Sequence, residues 1–231
     1  MSFSMTLRSA TVVAALAATG AAQAGNTTIV TSALVANSVQ AFSAEAAKGF
    51  RLTETVVSPL GNATTVSGTA TPTFNLPITS ITIDSKLNIV SGDAKGSALK
   101  FTRVLDDGSD TWVILANFTI DYANKKVLAD ATIPDTPTVK QQPIYNFTVN
   151  TPLSVKYKFP LSIVGHEVLD NLMLTEEAKD SFMNGLLLAD FIRQTVLDTT
   201  AFGTLTQDVS VKFRPKAVST RLYTVTQPAA Q

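Results

Sequence analysis

The chain has 231 residues with 18 basic and 18 acidic side chains, so it carries no formal net charge at pH 7, and it contains no cysteine. The balanced charge argues against a nucleic-acid binder, which needs a concentrated basic face. Without cysteine there are no disulfides, thiolate metal sites, iron–sulfur clusters or cysteine nucleophiles, and the core alone must hold the fold.

Met1 to Ser9 carries one positive charge, at Arg8, and an alanine-rich apolar run follows from Ala10 to Ala22. Ala22-Gln23-Ala24 then puts small residues where a signal peptidase cuts. Residues 1–24 are therefore expected to be a secretory signal peptide, and residues 25–231 a single β-rich domain in the periplasm or outside the cell. No later segment reaches 18 unbroken apolar residues, so no transmembrane helix is expected. Asn-x-Thr occurs at Asn26, Asn62, Asn117 and Asn146. It matters only in a glycosylating pathway, and the leader reads as bacterial.

From Ser32 to Lys48 the apolar residues Val35, Val39, Phe42 and Ala46 recur at helical spacing. Ser32 is placed to cap such a helix and Gly49 to end it. After Gly49 the pattern turns β-like. Arg51–Val57, Ile78–Asp84 and Leu87–Ser91 read as strands, and Thr64–Phe74, broken by Gly68 and Pro72, as an irregular edge. Gly92 to Gly96 reads as a turn, and Leu99, Phe101 and Leu105 as one face of a strand.

Trp112 to Tyr122 has an apolar residue at every even position, and Val127, Ala129, Ala131 and Ile133 repeat that period after Ala123-Asn124-Lys125-Lys126. Side chains alternate across a strand, so this is a hairpin with one core face. Matching large to small residues predicts Tyr122 opposite Val127, Ile120 opposite Ala129 and Phe118 opposite Ala131. Pro134 to Pro143 reads as a surface loop. Tyr145–Val149 and Leu153–Phe159 read as strands, the second with lysines on its outer face.

Gly165 to Leu197 reads as helical, with Thr175 as cap and Glu176 and Glu177 at its positive end. Its apolar arc is wide: Phe182, Leu186 and Ala189 form one stripe, with Met183, Leu187 and Phe191 beside it. Such a helix either plugs the β core or covers an apolar ligand, in which case Met173, Phe182, Met183 and Leu186 would line the site. Leu205 to Phe213 alternates as a strand, and Leu222 to Thr226 suggests a last one.

Little in the chain points to chemistry. His166 is the only histidine, no G-x-S-x-G turn presents a serine, and His166-Glu167 does not continue as H-E-x-x-H. Asp106-Asp107-Gly108-Ser109-Asp110 offers oxygens for calcium but lacks EF-hand spacing, and Asp-Gly between strands is first a hairpin turn. No metal or cofactor is expected, and catalytic carboxylates cannot be picked from 18 acids.

The residues Asn117-Phe118-Thr119-Ile120-Asp121 and Asn124 to Asp130, with Ala201 to Thr206, resemble secreted bacterial β-rich proteins of uncharacterised function. Some of these carry a PEP-CTERM sorting tail, a pattern not found at the end of this sequence. A fainter likeness is to the haem-associated HtaA module, whose aromatic and histidine haem contacts have no counterpart that can be placed here. The expected fold is mainly β: an antiparallel sandwich or open barrel with an N-terminal helix and a helical insertion near 166–197. The expected function is that of an exported, non-catalytic structural or binding protein. A carrier of an apolar ligand under the 175–192 helix is the alternative, and a secreted hydrolase the third reading. Self-association is also compatible with the apolar content.

Overall fold

The computed structural model describes residues 25–225 apart from 87 and 159–161; the side chains of 153–164 and 211 are likewise not described. The expected leader and the Leu153–Phe159 alternation lie outside what is described. The strands are β1 Thr27–Val30, β2 Leu34–Phe42, β3 Thr55–Gly61, β4 Thr64–Thr65, β5 Thr73–Pro77, β6 Ser80–Ile83, β7 Ile89–Val104, β8 Asp110–Asp121, β9 Lys126–Thr132, β10 Val139–Lys158, β11 Ser162–Leu174 and β12 Gly203–Phe213. The helices are α1 Ala44–Leu52, α2 Glu176–Gly185 and α3 Asp190–Ile192, the last running into a π-helical turn, Arg193–Leu197.

The strands form one antiparallel sheet in the order β1-β6-β7-β8-β9-β10-β11-β12-β2-β5-β4, with β3 also on β7. β5 pairs with β2, and β6, which follows closely, pairs with β7. Through the corner between them, Ile78 N donates to Ala36 O at 2.9 Å and Thr79 N to Asp93 O at 2.7 Å. One short segment thus ties the two ends of the sheet together and curls it into a half-barrel. This is the open-barrel form of the antiparallel fold expected from the sequence. Phe42, Phe101, Leu115, Phe118, Ile144, Leu169 and Leu205 fill its concave side. No helix among the described residues is long and apolar enough to cross a membrane.

The expected helix over 32–48 is not there. Leu34–Phe42 is strand β2, and the helix follows it, capped by Ser43, whose Oγ accepts from Ala46 N at 3.0 Å. Alternation was hidden because the inward face of β2 is Ala36, Ser38, Gln40 and Phe42, half of it polar. Ser38 has a polar partner, Gln207 opposite it on β12, which donates to its Oγ at 2.8 Å, whereas Gln40 Nε2 is buried without a hydrogen-bond partner among the described residues. Gly49, expected as a helix end, is buried inside α1. The expected turn at Gly92–Gly96 lies within the long strand β7, Pro143 lies within β10, and residues 166–174 belong to β11. His166 sits mid-strand on the surface, with its Nδ1 2.7 Å from Asp208 Oδ1 on β12. Asp106–Asp110 is a turn closed by Leu105 N to Ser109 O at 2.8 Å.

The central hairpin is present, with two corrections. Ile120, not Tyr122, lies opposite Val127, a shift of two residues that keeps the same faces together. More important, the core face changes along β8. Phe118 and Ile120 face the core, but before Asn117 it is Val113 and Leu115 that do so, while Ile114 and Ala116 belong to a second cluster on the outer face. Asn117 is an extra residue with φ +55°, and the register with both β7 and β9 breaks there. On β7 three residues, Lys95 to Ser97, stand opposite Asn117 and the alternation reverses there too, from Ala94 in the inner core to Ala98 in the outer one, whereas β9 keeps Val127, Ala129 and Ala131 inward throughout.

The side chain of Asn117 organises the outer face around this bulge. Its Oδ1 accepts from Gly96 N at 3.0 Å and Tyr223 N at 2.8 Å. Its Nδ2 donates to Asp130 Oδ2 at 2.8 Å and Tyr223 O at 2.9 Å. Asp130 also accepts from Lys140 Nζ at 2.9 Å and Gln141 N at 3.0 Å. Asn117 therefore grips both main-chain groups of Tyr223, as a neighbouring strand would. The residues after β12 form a strap rather than the expected last strand. Arg214 donates to Leu34 O, Asn62 Nδ2 donates to Ser219 O, and Tyr223 and Val225 pack with Leu60 and Trp112. Burial pushes the Asp130 carboxyl up, but the bonds from Asn117, Lys140 and Gln141 outweigh that and hold it below the usual carboxylate range.

Two outcomes follow from this packing. Phe118→Ala is expected to cost about 3–5 kcal/mol, because a buried aromatic leaves a cavity. Lys125→Ala, at the exposed turn, should stay within about 0.5 kcal/mol of wild type. Denaturant melts of both compare them, and equal effects would contradict the core face described here. The second outcome concerns acid. The folded-state pKa of Asp130 lies below the unfolded one, so its contribution is complete above the unfolded value of about 3.9 and is lost as pH falls through the folded value. Asp130→Asn should be less stable at pH 7 and should lose less stability between pH 5 and pH 2. Parallel stability–pH curves would show that the carboxylate does not contribute.

Candidate functional site

The helical segment sits at one end of the half-barrel and is three pieces, not the single helix expected over 176–192. Thr175 caps α2, its Oγ1 accepting from Ala178 N at 3.3 Å and donating to Pro143 O at 2.6 Å. The helix stops where Leu187 turns to φ +48°. Three bonds from the sheet satisfy its last carbonyls, which a helix end leaves open. Arg103 Nη1 donates to Leu186 O at 3.0 Å and Leu187 O at 2.7 Å, and Thr111 Oγ1 to Gly185 O at 2.5 Å. The broken helix explains the apolar residues on several faces. Phe182 and Leu186 are buried, whereas Leu187 is 58% and Phe191 61% exposed.

Of the four residues expected to line an apolar site, Phe182 and Leu186 are in the core, with the Phe182 ring 4.9 Å from that of Phe101, edge to face. Met183 is half-buried against the core. Met173 lies on β11, half-buried, bridged to Ala201. The structure does not gather the four around one space. The space beside Phe182 and Leu186 is about 20 Å³, room for a water-sized group.

A larger concavity lies next to it, between α1 and the π-helical turn. It is a groove of about 650 Å³, open to solvent. One wall is α1, whose Glu45, Lys48, Gly49 and Leu52 face it; the other is Thr195, Val196 and Thr199, with Ala201, Gly203 and Thr204 at the base. Ser43 joins the walls, its Oγ donating to Ala201 O at 2.7 Å. Gly49 brings them close, since a Cβ there would stand 2.9 Å from Val196 Cγ1. Small Ala46 and Gly49, one turn apart on α1, are the signal by which the sequence could have shown this approach.

Ion pairs fix the second wall to α2. Lys179, almost fully buried, reaches Asp198 Oδ1 at 2.8 Å and Glu176 Oε1 at 2.7 Å. Arg193 reaches Asp180 Oδ1 at 2.6 Å and Glu176 Oε2 at 2.9 Å. The hydrogen bonds that Lys179 donates to Asp198 and Glu176 raise its pKa, and burial opposes them only in part.

The groove is more apolar than its residue types suggest. The hydroxyl of Thr195 donates to Phe191 O at 2.7 Å and that of Thr199 to Thr195 O at 2.9 Å, while Ser43 is engaged as described. With these donors bound to main chain, the walls offer methyl and methylene surface. Glu45 and Lys48 are the ionisable side chains of the lining. Elsewhere, Tyr122 donates to the buried Glu167 Oε2 at 2.5 Å, and burial, then the neighbouring carboxylate, pushes the phenol pKa well up. Among the described residues no group of three or more His, Asp or Glu is placed to hold a metal ion.

No family model matches the chain, and no curated protein matches it. Among solved structures, the C-terminal domain of HtaA from Corynebacterium glutamicum is similar over 77% of this chain and 97% of that one, with 11% identity and a TM-score of 0.48. At that level nothing about ligand or activity carries over. The likeness to secreted β-rich proteins rests on the hairpin and β12 residues alone.

Gly185 tests how tightly α2 is seated. A Cβ there would lie 2.4 Å from Val113 Cγ2 and 2.6 Å from Ile133 Cγ2. Gly185→Ala is expected to destabilise by about 1–3 kcal/mol, although alanine favours helices, because overpacking outweighs propensity. Thermal or denaturant unfolding checks the sign; a stabilised variant would mean that α2 can lift off the sheet at little cost.

Proposed function

We propose that the protein is an exported, non-catalytic binding protein, and that the groove between α1 and the π-helical turn holds an apolar or amphipathic small molecule. The observation that carries this is the groove itself. Its volume falls in the range of small-molecule sites, roughly 300–1,000 Å³, and three of its hydroxyls, those of Ser43, Thr195 and Thr199, are turned to main chain. Export rests on the leader-like residues 1–24. Leu52, 63% exposed at the groove, is an apolar side chain without an evident packing role.

A second reading has its own support. The concave side of the sheet is filled, and the spaces found there are of about 20 Å³ each. A filled core suits a purely structural domain, for which the groove is only a crevice between two helical pieces.

One preparation decides between them. Protein purified from the exported fraction without denaturation is expected to start at Gly25 by N-terminal sequencing; an intact Met1 would remove the export reading. Titrated with a fluorescent fatty-acid analogue, wild type should bind saturably. Leu52→Asp and Thr199→Trp should weaken that binding at least tenfold with unchanged denaturant midpoints. If wild type does not bind saturably, and native mass spectrometry finds no retained small molecule, the structural reading stands in place of the carrier.

A further inference from the structure

We infer that the end of the half-barrel opposite the helices docks on an anionic phospholipid bilayer. The inference goes beyond the groove reading and does not depend on it. It starts from how the charges are sorted. The formal charge of the whole chain is zero, but the strand connections divide it by sign. Between β11 and β12, at the helical end, Glu176, Glu177, Asp180, Asp190 and Asp198 outnumber Lys179 and Arg193. The other connections at that end add Asp106 and Asp107 between β7 and β8, and Asp135 between β9 and β10. Around α1, Glu45 and Glu54 are balanced by Lys48 and Arg51.

The opposite end is basic. Lys125 and Lys126 stand where β8 returns as β9, and β10 carries Lys156 and Lys158 in its last three residues. β12 ends at Lys212 and Phe213, and Arg214 and Lys216 follow. The sequence has no acidic residue from 136 to 166 and none after Asp208, so the neighbouring strands β10, β11 and β12 reach this end without a carboxylate. Of the described residues, Asp84 and Asp121 are the carboxylates there. Each is tied into its own turn, by Asn88 Nδ2 at 2.9 Å and Asn124 Nδ2 at 2.7 Å. Lys86 follows the first, and Lys126 lies opposite the second.

The sheet keeps the two ends apart. β8 runs from one to the other over 12 residues, about 35–40 Å at about 3.3 Å per residue. The Debye length at physiological salt is about 8 Å, so a surface facing the basic end does not feel the acidic one. A chain without net charge built in this way binds an anionic surface in one orientation, with the helices and the groove turned away from it.

Phe213 selects the kind of surface. It is 60% exposed and lies between the exposed Lys212 and Arg214, whose guanidinium is engaged by Leu34 O and Asn37 Oδ1. An aromatic ring left in water beside a lysine gains by entering the boundary between head groups and acyl chains, while the lysine stays with the anionic head groups. A soluble polyanion satisfies the lysines but offers the ring no apolar layer.

The test is co-sedimentation of the full exported protein with two kinds of vesicle: phosphatidylcholine alone, and phosphatidylcholine with about 30 mol% phosphatidylglycerol. Binding to the mixed vesicles is expected to be at least tenfold stronger at low salt and to fall away towards about 0.5 M salt. A lysine close to an anionic surface contributes roughly fivefold in affinity. Lys125→Glu, Lys212→Glu and Lys216→Glu should therefore each weaken binding more than fivefold with unchanged denaturant midpoints. Arg51→Glu, the same change of charge at the helical end, should leave binding unchanged. In Phe213→Trp, emission should shift to the blue with mixed vesicles and not with neutral ones, over the constant signal of Trp112 in the outer cluster. No preference for mixed vesicles, losses in Arg51→Glu equal to those in the lysine variants, or an unshifted Phe213→Trp emission would overturn the inference. Binding to dextran sulfate without binding to vesicles would also overturn it, and would assign the basic end to a soluble polyanion. None of these outcomes bears on the groove, which the fatty-acid titration tests separately.

Discussion

The side-chain amide of Asn117 is the contact on which the arrangement of this sheet depends. A bulge on β8 leaves an extra residue, and with it main-chain groups that the ladder no longer pairs. Asn117 answers by using its own amide as a fragment of strand: it bonds Gly96 on one side, Asp130 on another and both main-chain groups of Tyr223. All of this happens at 1% exposure, where an unpaired amide would cost on the order of 1–3 kcal/mol per group. A residue that tolerates positive φ and both donates and accepts is needed there, and asparagine is the side chain that meets both conditions.

The bulge also divides the apolar residues of β8 between two cores. Val113 and Leu115 join Phe118 and Ile120 inside the half-barrel, while Ile114 and Ala116 meet Leu60, Trp112, Tyr223 and Val225 outside. The C-terminal strap is therefore not an appendage but the cover of the outer core. Without the reversal at Asn117, Val113 and Leu115 would turn outward and Ile114 and Ala116 inward. The strap, the bulge and the buried carboxylate of Asp130 form one unit, because each supplies hydrogen-bond partners that the others lack.

The other end of the half-barrel follows a different logic. Its helical pieces are short, and their ends are satisfied by the sheet: Arg103 and Thr111 close α2, and Ser43 ties α1 to the start of β12. The groove is a by-product of this stitching. Two helical pieces meet at Gly49 and Val196 and diverge from there, and the outer piece is held both by ion pairs and by Ile192 and Leu197, which are buried.

The sequence by itself determined the antiparallel β character, the central hairpin with Phe118, Ile120, Val127 and Ala129 in its core, the Asp-Gly turn and the Thr175 cap. These rest on period-two alternation and turn chemistry, which are local. It misled wherever burial was set by distant partners. Leu34 to Phe42 read as part of a helix, because nothing near Ser38 in sequence announces Gln207 across the ladder. The run from Phe182 to Phe191 looked like one wide apolar helix, because the break at Leu187 is capped by Arg103, more than 80 residues away. The hairpin register was two residues off because the turn is Tyr122–Lys125, with Lys125 at φ +52°, and the reversal of faces was missed because an extra residue at Asn117 is invisible to pattern matching. The groove could not be read at all, since its walls come from residues 43–52 and 195–204 and meet only when the sheet brings β2 beside β12. Local alternation fixes which residues want to be strands; only tertiary pairing decides which polar side chains can afford to be inside, and where two surfaces leave a gap.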